Sequence, residues 1–175
     1  MAAGTRLIGI IGKKNCGKTT VVVQIAAALA DRGLEVATIK HGTHPARTDR
    51  EGTDTWRHYH EGKATRVMIE GPGGRAYFER TDEERDPVSL ARHFMAGVDI
   101  VIAEGFMRHA IPRIEVFRHA VHDRPHYAPD HPAAAQWIGM LSDEASLTVP
   151  FPTLLLTGVW LEPALELIDT HAIPI

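Results

Sequence analysis

The feature that most constrains this chain is Gly12-Lys13-Lys14-Asn15-Cys16-Gly17-Lys18-Thr19-Thr20, read directly after the apolar run Leu7-Ile8-Gly9-Ile10-Ile11. It matches the pattern G-x-x-x-x-G-K-[ST]. The chemistry needs that spacing. Glycines let the backbone turn tightly enough for successive N–H groups to point inward at phosphate oxygens. Lys18 then reaches the β- and γ-phosphates, and the Thr19 hydroxyl is a Mg²⁺ ligand. Residues Gly12 through Thr20 are therefore the candidate nucleotide-binding segment, with Lys18 a candidate catalytic group as well. Thr19–Arg32 is Ala-rich and patterned as a helix, with Gly33 as its stop. The positive end of that helix dipole faces the same phosphates.

The rest of the chain alternates apolar, β-branched runs with helical patterns, the signature of βα units around a mostly parallel sheet. Strands are expected at Leu7–Ile11, Val36–Lys40, Asp99–Ala103, Trp137–Leu141 and Thr153–Leu156. Helices are expected at Thr55–Glu61, Pro87–Met95 and Glu162–Asp169. Arg66–Glu70 and Ala76–Glu79, joined through Gly71-Pro72-Gly73-Gly74, read as an additional antiparallel hairpin. Arg113–Arg118 alternates polar and apolar residues, as a half-exposed strand does, and would suit an edge strand pairing across a two-fold axis. Residues 41–54 and 119–134 read as irregular loops. The fold class is α/β, a P-loop NTPase with a mostly parallel sheet flanked by helices. Its 175 residues are expected to form a single nucleotide-binding domain, 1–175.

A P-loop needs a carboxylate near its metal, and ligands of open α/β sheets sit outside the carboxyl ends of the strands. After Asp99–Ala103 that position belongs to Glu104, whereas Asp99 lies at the wrong end. Glu104 is thus the Walker-B-type acid, a candidate catalytic and metal residue with Thr19. Asp49 and Asp54 flank Gly52 after the second strand, where loops of P-loop GTPases sense the γ-phosphate and Mg²⁺. Asp49 is a candidate metal residue; the alternative is an acidic solvated loop in which Asp54 caps the next helix. The guanine-reading Asn-Lys-x-Asp motif is absent, because Asn15 is the only asparagine. Asp143, after a late strand, is the best-placed substitute for reading guanine; a turn or cap role is the alternative.

A formal charge of -3 argues against a nucleic-acid partner. The apolar runs are too short to span a bilayer, and the N-terminus reads as a strand rather than a signal peptide. A single cysteine, Cys16, fits a reducing cytoplasm. His119, His122, His126 and His131, with Asp123 and Asp130, invite a metal-site reading, against which Pro125, Pro129 and Pro132 suggest a segment that does not pre-arrange ligands.

Together, GxxxxGKTT, Lys40-His41-x-x-His44, Asp49-x-x-Gly52-x-Asp54 with Arg57 and His58, Glu61-Gly62-Lys63-Ala64, Glu104-Gly105-Phe106 and Pro112-Arg113-Ile114-Glu115-Val116 resemble the molybdopterin-guanine dinucleotide biosynthesis protein B family. The resemblance covers about residues 6–118 with specific motifs. It departs in Met107-Arg108, where the family often has Lys directly after Glu-Gly-Phe, and in Arg113, where Lys is common. It implies a GTP-binding P-loop fold with Mg²⁺, weak GTPase activity, a homodimer, and a partnership with the guanylyltransferase that attaches GMP to molybdopterin; molybdopterin itself is a candidate ligand of the same resemblance. Lys13 resembles the signature lysine of dimerising P-loop ATPases, which reaches a nucleotide in the partner subunit; the alternative is a solvated lysine. Slow turnover is expected because no glutamine is placed to orient water and nothing singles out Arg47, Arg50 or Lys13 as a charge-stabilising finger. Two rival readings are a small-molecule kinase, in which Glu104 or Asp49 positions an acceptor hydroxyl, and a metallochaperone GTPase using residues 119–131.

Overall fold

The computed structural model describes residues 4–42, 44 and 48–175. In chain order the elements are β1 (Arg6–Ile11), α1 (Lys18–Asp31), β2 (Val36–Lys40), α2 (Asp54–His60), β3 (Arg66–Gly71), β4 (Gly74–Glu79), α3 (Pro87–Phe94), β5 (Ile100–Glu104), β6 (Arg113–Phe117), β7 (Trp137–Ser142), β8 (Thr153–Leu155), α4 (Leu161–His171) and β9 (Ile173–Pro174). They fall into two compact units, residues 1–41 with 86–175, and residues 42–85.

The larger unit is a sheet in the order β2-β5-β1-β6-β7-β8, with every neighbouring pair parallel. Short β9 runs antiparallel beside the start of β1. The strands are almost continuously apolar because both faces are covered. Successive side chains point to opposite faces. Ile8, Ile10, Ile100 and Ile102 therefore join Ile25 and Leu29 of α1 and Leu165 and Ile168 of α4 on one side. Leu7, Val101 and Ala103 join Ala91 of α3 on the other. Asp86 caps α3 by accepting from the Ser89 amide, and Pro87 opens it, where a missing N–H costs nothing. This is the mostly parallel α/β architecture read from the sequence.

The smaller unit holds α2 and the β3–β4 hairpin, paired from Arg66↔Glu79 to Gly71↔Gly74. Pro72 and Gly73 make the turn, with Gly73 at φ 90°, a conformation that favours glycine.

One expectation is corrected. Arg113–Phe117 is not a half-exposed edge strand: β6 lies between β1 and β7, paired on both edges, and each of its residues is buried. It has no free edge to offer a second copy of the chain. Its polar residues tolerate the interior because each is satisfied there. Arg113, 0% exposed, donates to the carbonyls of Ile111 (3.1 Å), Met107 (2.7 Å) and His109. Its guanidinium also lies 5.0 Å from the Trp137 ring centroid. Glu115, also 0% exposed, accepts from the amides of His126 (2.5 Å) and Tyr127 (3.0 Å) and from Trp137 Nε1 (2.8 Å). Alternation marked the two faces of the strand correctly; polarity did not mark exposure.

Removing buried apolar volume between the layers should cost stability in proportion to the cavity left. Ile102→Ala, at a fully buried position, should lower the unfolding free energy by about 2–5 kcal/mol in urea titration. Val159→Ala, at a side chain 88% exposed, should change it by less than about 0.5 kcal/mol. Equal effects would contradict this layering.

Candidate functional site

β1 ends at Ile11, and the chain turns through a loop before α1 starts at Lys18. Gly12 has φ 147°, Asn15 φ 64° and Gly17 φ 89°. A Cβ at Gly12 would run into the Val116 carbonyl oxygen of β6, so only glycine fits there. The first turn of α1 carries no acidic residue, and no side chain caps its amides. Those orphan donors, at the positive end of the helix, suit an anion. Lys18 Nζ donates to the Lys13 carbonyl at 2.8 Å, which curls the ammonium back over the loop. Cys16 is buried in the core below, while Lys14, Asn15, Thr19 and Thr20 are exposed.

Strand order brings the acid to this loop. β5 lies between β1 and β2, and the register sets Glu104 opposite both Ile10 and Lys40. The Glu104 carboxylate, in a residue only 6% exposed, accepts from Thr19 Oγ1 at 3.0 and 3.1 Å and from Lys40 Nζ at 2.5 Å. Lys40 Nζ also donates to Thr19 Oγ1 at 3.3 Å. These groups and the loop residues Lys14, Asn15 and Gly17–Thr20 line a cavity of about 450 Å³. A hydroxyl and a carboxylate side by side are the hard oxygen donors that Mg²⁺ takes together with water and phosphate oxygens, so the donor set fits that ion. Beyond Glu104 the chain bends sharply, with Gly105 at φ 93° and Phe106 at φ 51°. The His41 ring lies 5.2 Å from that of Phe106.

Thr19, Lys18 and Glu104 are thus neighbours in the larger unit. Asp49 belongs to the smaller unit, where its carboxylate accepts from the Arg50 amide at 2.7 Å and from the Thr55 hydroxyl. The Thr55 hydroxyl first, then the Arg50 amide, hold its pKa below the usual value. Asp143 accepts from the amides of His119 (2.6 Å) and Ala120 (3.4 Å) and lies 3.6 Å from Arg118 Nε. It closes the turn after β6 as well as following β7. Arg47 lies outside the described residues. Among the described residues no three His, Cys, Asp or Glu side chains converge on a metal position.

The histidine-bearing segment instead packs against the phosphate loop. Lys13 Nζ donates to the Arg124 carbonyl at 2.6 Å, and His122 Nε2 donates to the Lys14 carbonyl at 2.8 Å. From the other side, Glu115 holds the amides of His126 and Tyr127. Reading motifs in isolation missed these contacts, as it missed the role of Lys40, which becomes visible only once β2 is placed beside β5.

The family model described as "Molybdopterin guanine dinucleotide synthesis protein B" matches residues 7–143. The chain belongs to the MobB family. A molybdopterin-guanine dinucleotide biosynthesis adapter protein of Haemophilus influenzae is 33% identical over 113 residues, 64% of this chain and 63% of that relative. The adapter protein of Escherichia coli is 27% identical over 121 residues, covering 68% and 69%. The matched region thus spans under two thirds of the Haemophilus relative. MobB folds agree over nearly the whole chain. The crystal structure of Bacillus subtilis MobB superposes with a TM-score of 0.70 at 19% identity, covering 93% of this chain and 97% of that one. Another crystal structure, of molybdopterin-guanine biosynthesis protein B, gives a TM-score of 0.70 at 23% identity, covering 94% and 98%. At these identities the superpositions establish the P-loop fold of this MobB chain.

The segment over the loop holds a histidine in surroundings that disfavour its charged form. Burial, the largest cause, pushes the His126 imidazole below its ordinary value of 6.5; Glu115 opposes this, while Lys13, Lys18 and His122 add to it. The unfolded chain therefore binds a proton at His126 more readily than the folded chain does. The associated stability is fully present above the unfolded pKa, and it is lost as pH falls toward the lower folded value. Urea titrations of His126→Asn should show a flatter dependence of stability on pH, as pH falls below about 6.5, than the parent chain. Parallel curves for the two proteins would remove His126 from this account.

Proposed function

We propose that this chain is a GTP-binding accessory protein of molybdopterin guanine dinucleotide biosynthesis, which holds GTP·Mg²⁺, turns it over slowly and acts with the guanylyltransferase. The observation that carries the nucleotide reading is the cluster of Thr19, Glu104 and Lys40 beside the Gly12–Thr19 loop. In this reading the loop amides and the Lys18 ammonium bind the triphosphate. The Thr19 hydroxyl and the Glu104 carboxylate hold Mg²⁺, directly or through its water. Bound there, the ion neutralises charge on the β- and γ-phosphates. Lys40 supplies a second cation at the same carboxylate.

The slow turnover has a physical basis. Among the described residues, neither Gln nor Arg lines the phosphate cavity. Fast GTPases rely on such groups to orient water and to stabilise the developing charge. A protein built this way suits an accessory role, in keeping with relatives that carry the name adapter protein in molybdopterin-guanine dinucleotide biosynthesis. Membership of MobB supports the guanylyltransferase as partner, a homodimer as the working form and molybdopterin as a further candidate ligand. A cytoplasmic setting fits one buried cysteine and the finding that, among the described residues, no helix is long and apolar enough to cross a membrane. No specific observation favours the kinase or metallochaperone alternatives.

Two substitutions test the reading. Lys18→Ala should leave the thermal transition unchanged and lower GTP affinity by about tenfold or more in calorimetry, the loss expected for a hydrogen bond to a charged group. Unchanged affinity refutes the phosphate assignment. Glu104→Gln should reduce Mg²⁺-dependent hydrolysis far more than nucleotide binding measured without metal. An equal loss in both would count against Glu104 as the metal's carboxylate.

A further inference from the structure

A second cavity adjoins the phosphate site. It has a volume of about 210 Å³ and shares Gly17 and Thr20 with the first. Its other walls are Cys16 of the loop, Val21 and Gln24 of α1, Arg118 after β6, Leu156 after β8 and Trp160 at the start of α4. Every one of these strand-borne groups follows a carboxyl end, on the edge of the sheet where the phosphate loop lies. Volumes of about 300–1,000 Å³ are usual for small-molecule sites, and the two cavities together fall in that range.

We infer that this cavity is the nucleobase subsite and that Arg118 selects guanine; the inference rests on the GTP reading above. The composition suits a base. Val21, Leu156 and Trp160 offer apolar and aromatic surface, and Trp160 belongs to the same buried core cluster as Val21 and Ile25. Aromatic faces accept any base by stacking, without selecting among them. Selection falls to the polar groups, Thr20, Gln24 and Arg118. A guanidinium is a donor only. Guanine presents two acceptors, O6 and N7, to such a fork, while adenine replaces O6 with an amino donor. Arg118 therefore favours guanine and opposes adenine.

Arg118 is held in place for this. Its Nε lies 3.6 Å from Asp143 Oδ2, and Asp143 is itself fixed by the amides of His119 and Ala120. Asp143 acts through Arg118 as a positioning residue and needs no contact with the base.

The test is calorimetric titration of the full chain with GTP, ATP and inorganic tripolyphosphate, each with Mg²⁺. The parent chain should prefer GTP to ATP by about tenfold or more, the discrimination of one good bidentate contact. Arg118→Ala should remove most of that preference and leave tripolyphosphate affinity unchanged. Asp143→Asn should shift the GTP-to-ATP ratio the same way by a smaller factor, again with tripolyphosphate unaffected, which a purely structural loss would not produce. A parent chain that binds tripolyphosphate but is indifferent to the base, or a ratio unmoved by Arg118→Ala, overturns the subsite alone. A parent chain that binds neither GTP nor tripolyphosphate overturns the phosphate reading as well.

Discussion

The interaction on which the site depends is the buried carboxylate of Glu104. A carboxylate removed from water is expensive unless cations and donors surround it. Here the Thr19 hydroxyl and the Lys40 ammonium do so. Both partners arrive through the sheet order. Because β5 sits between β1 and β2, its last residue is flanked by the start of the phosphate loop on one side and by the end of β2 on the other. A different strand order would leave the same sequence with a buried, unpaired charge. Sheet topology and site chemistry are therefore one constraint, and the apolar strands that bury Glu104 also determine which residues it can meet.

A second buried pair of polar residues organises the other flank. Arg113 and Glu115 stand two apart on β6 and so project from the same face of the strand. Arg113 gathers the carbonyls of the 107–111 segment; Glu115 gathers the amides of 126 and 127. Each turns an irregular segment into a fixed one by satisfying backbone groups that the sheet cannot. The histidine-bearing segment is consequently anchored from the core, while Lys13 and His122 tie it to the phosphate loop. Its histidines face packing and hydrogen-bonding demands, which accounts for a composition that otherwise suggests metal.

Much of this was legible in the sequence, for physical reasons that also mark where legibility ends. The phosphate loop declares itself because its glycines are required by backbone geometry, as the Val116 carbonyl pressed against Gly12 illustrates. Glu104 was locatable because the position after a buried parallel strand is a functional one in any open α/β sheet. Lys40 stands within a motif, yet what it meets depends on which strand lies beside β2, and no local pattern encodes that. Arg113 and Glu115 read as solvent-facing in the sequence because their partners sit in loops several residues away and leave no periodic trace. Asp143 was noticed for its place after a late strand; that its oxygens close the turn beginning at Arg118 follows only from the parallel pairing of β6 and β7.

Lys40 gives the cleft beside the loop its electrostatic logic. With a single negative charge on Glu104 and a single positive charge on Lys40, the pair is neutral and stable in a partly desolvated cleft. On the proposed reading a triphosphate adds several negative charges and Mg²⁺ adds two positive ones, and both compete for the same two side chains. On that reading Glu104 and Thr19 would hold the metal while Lys40 stays beside the same carboxylate. Such a site gains its second cation from the scaffold rather than from a mobile arginine. On the proposed reading, a cation already paired in the ground state has less new stabilisation to give the transition state, which favours holding the nucleotide over cleaving it quickly.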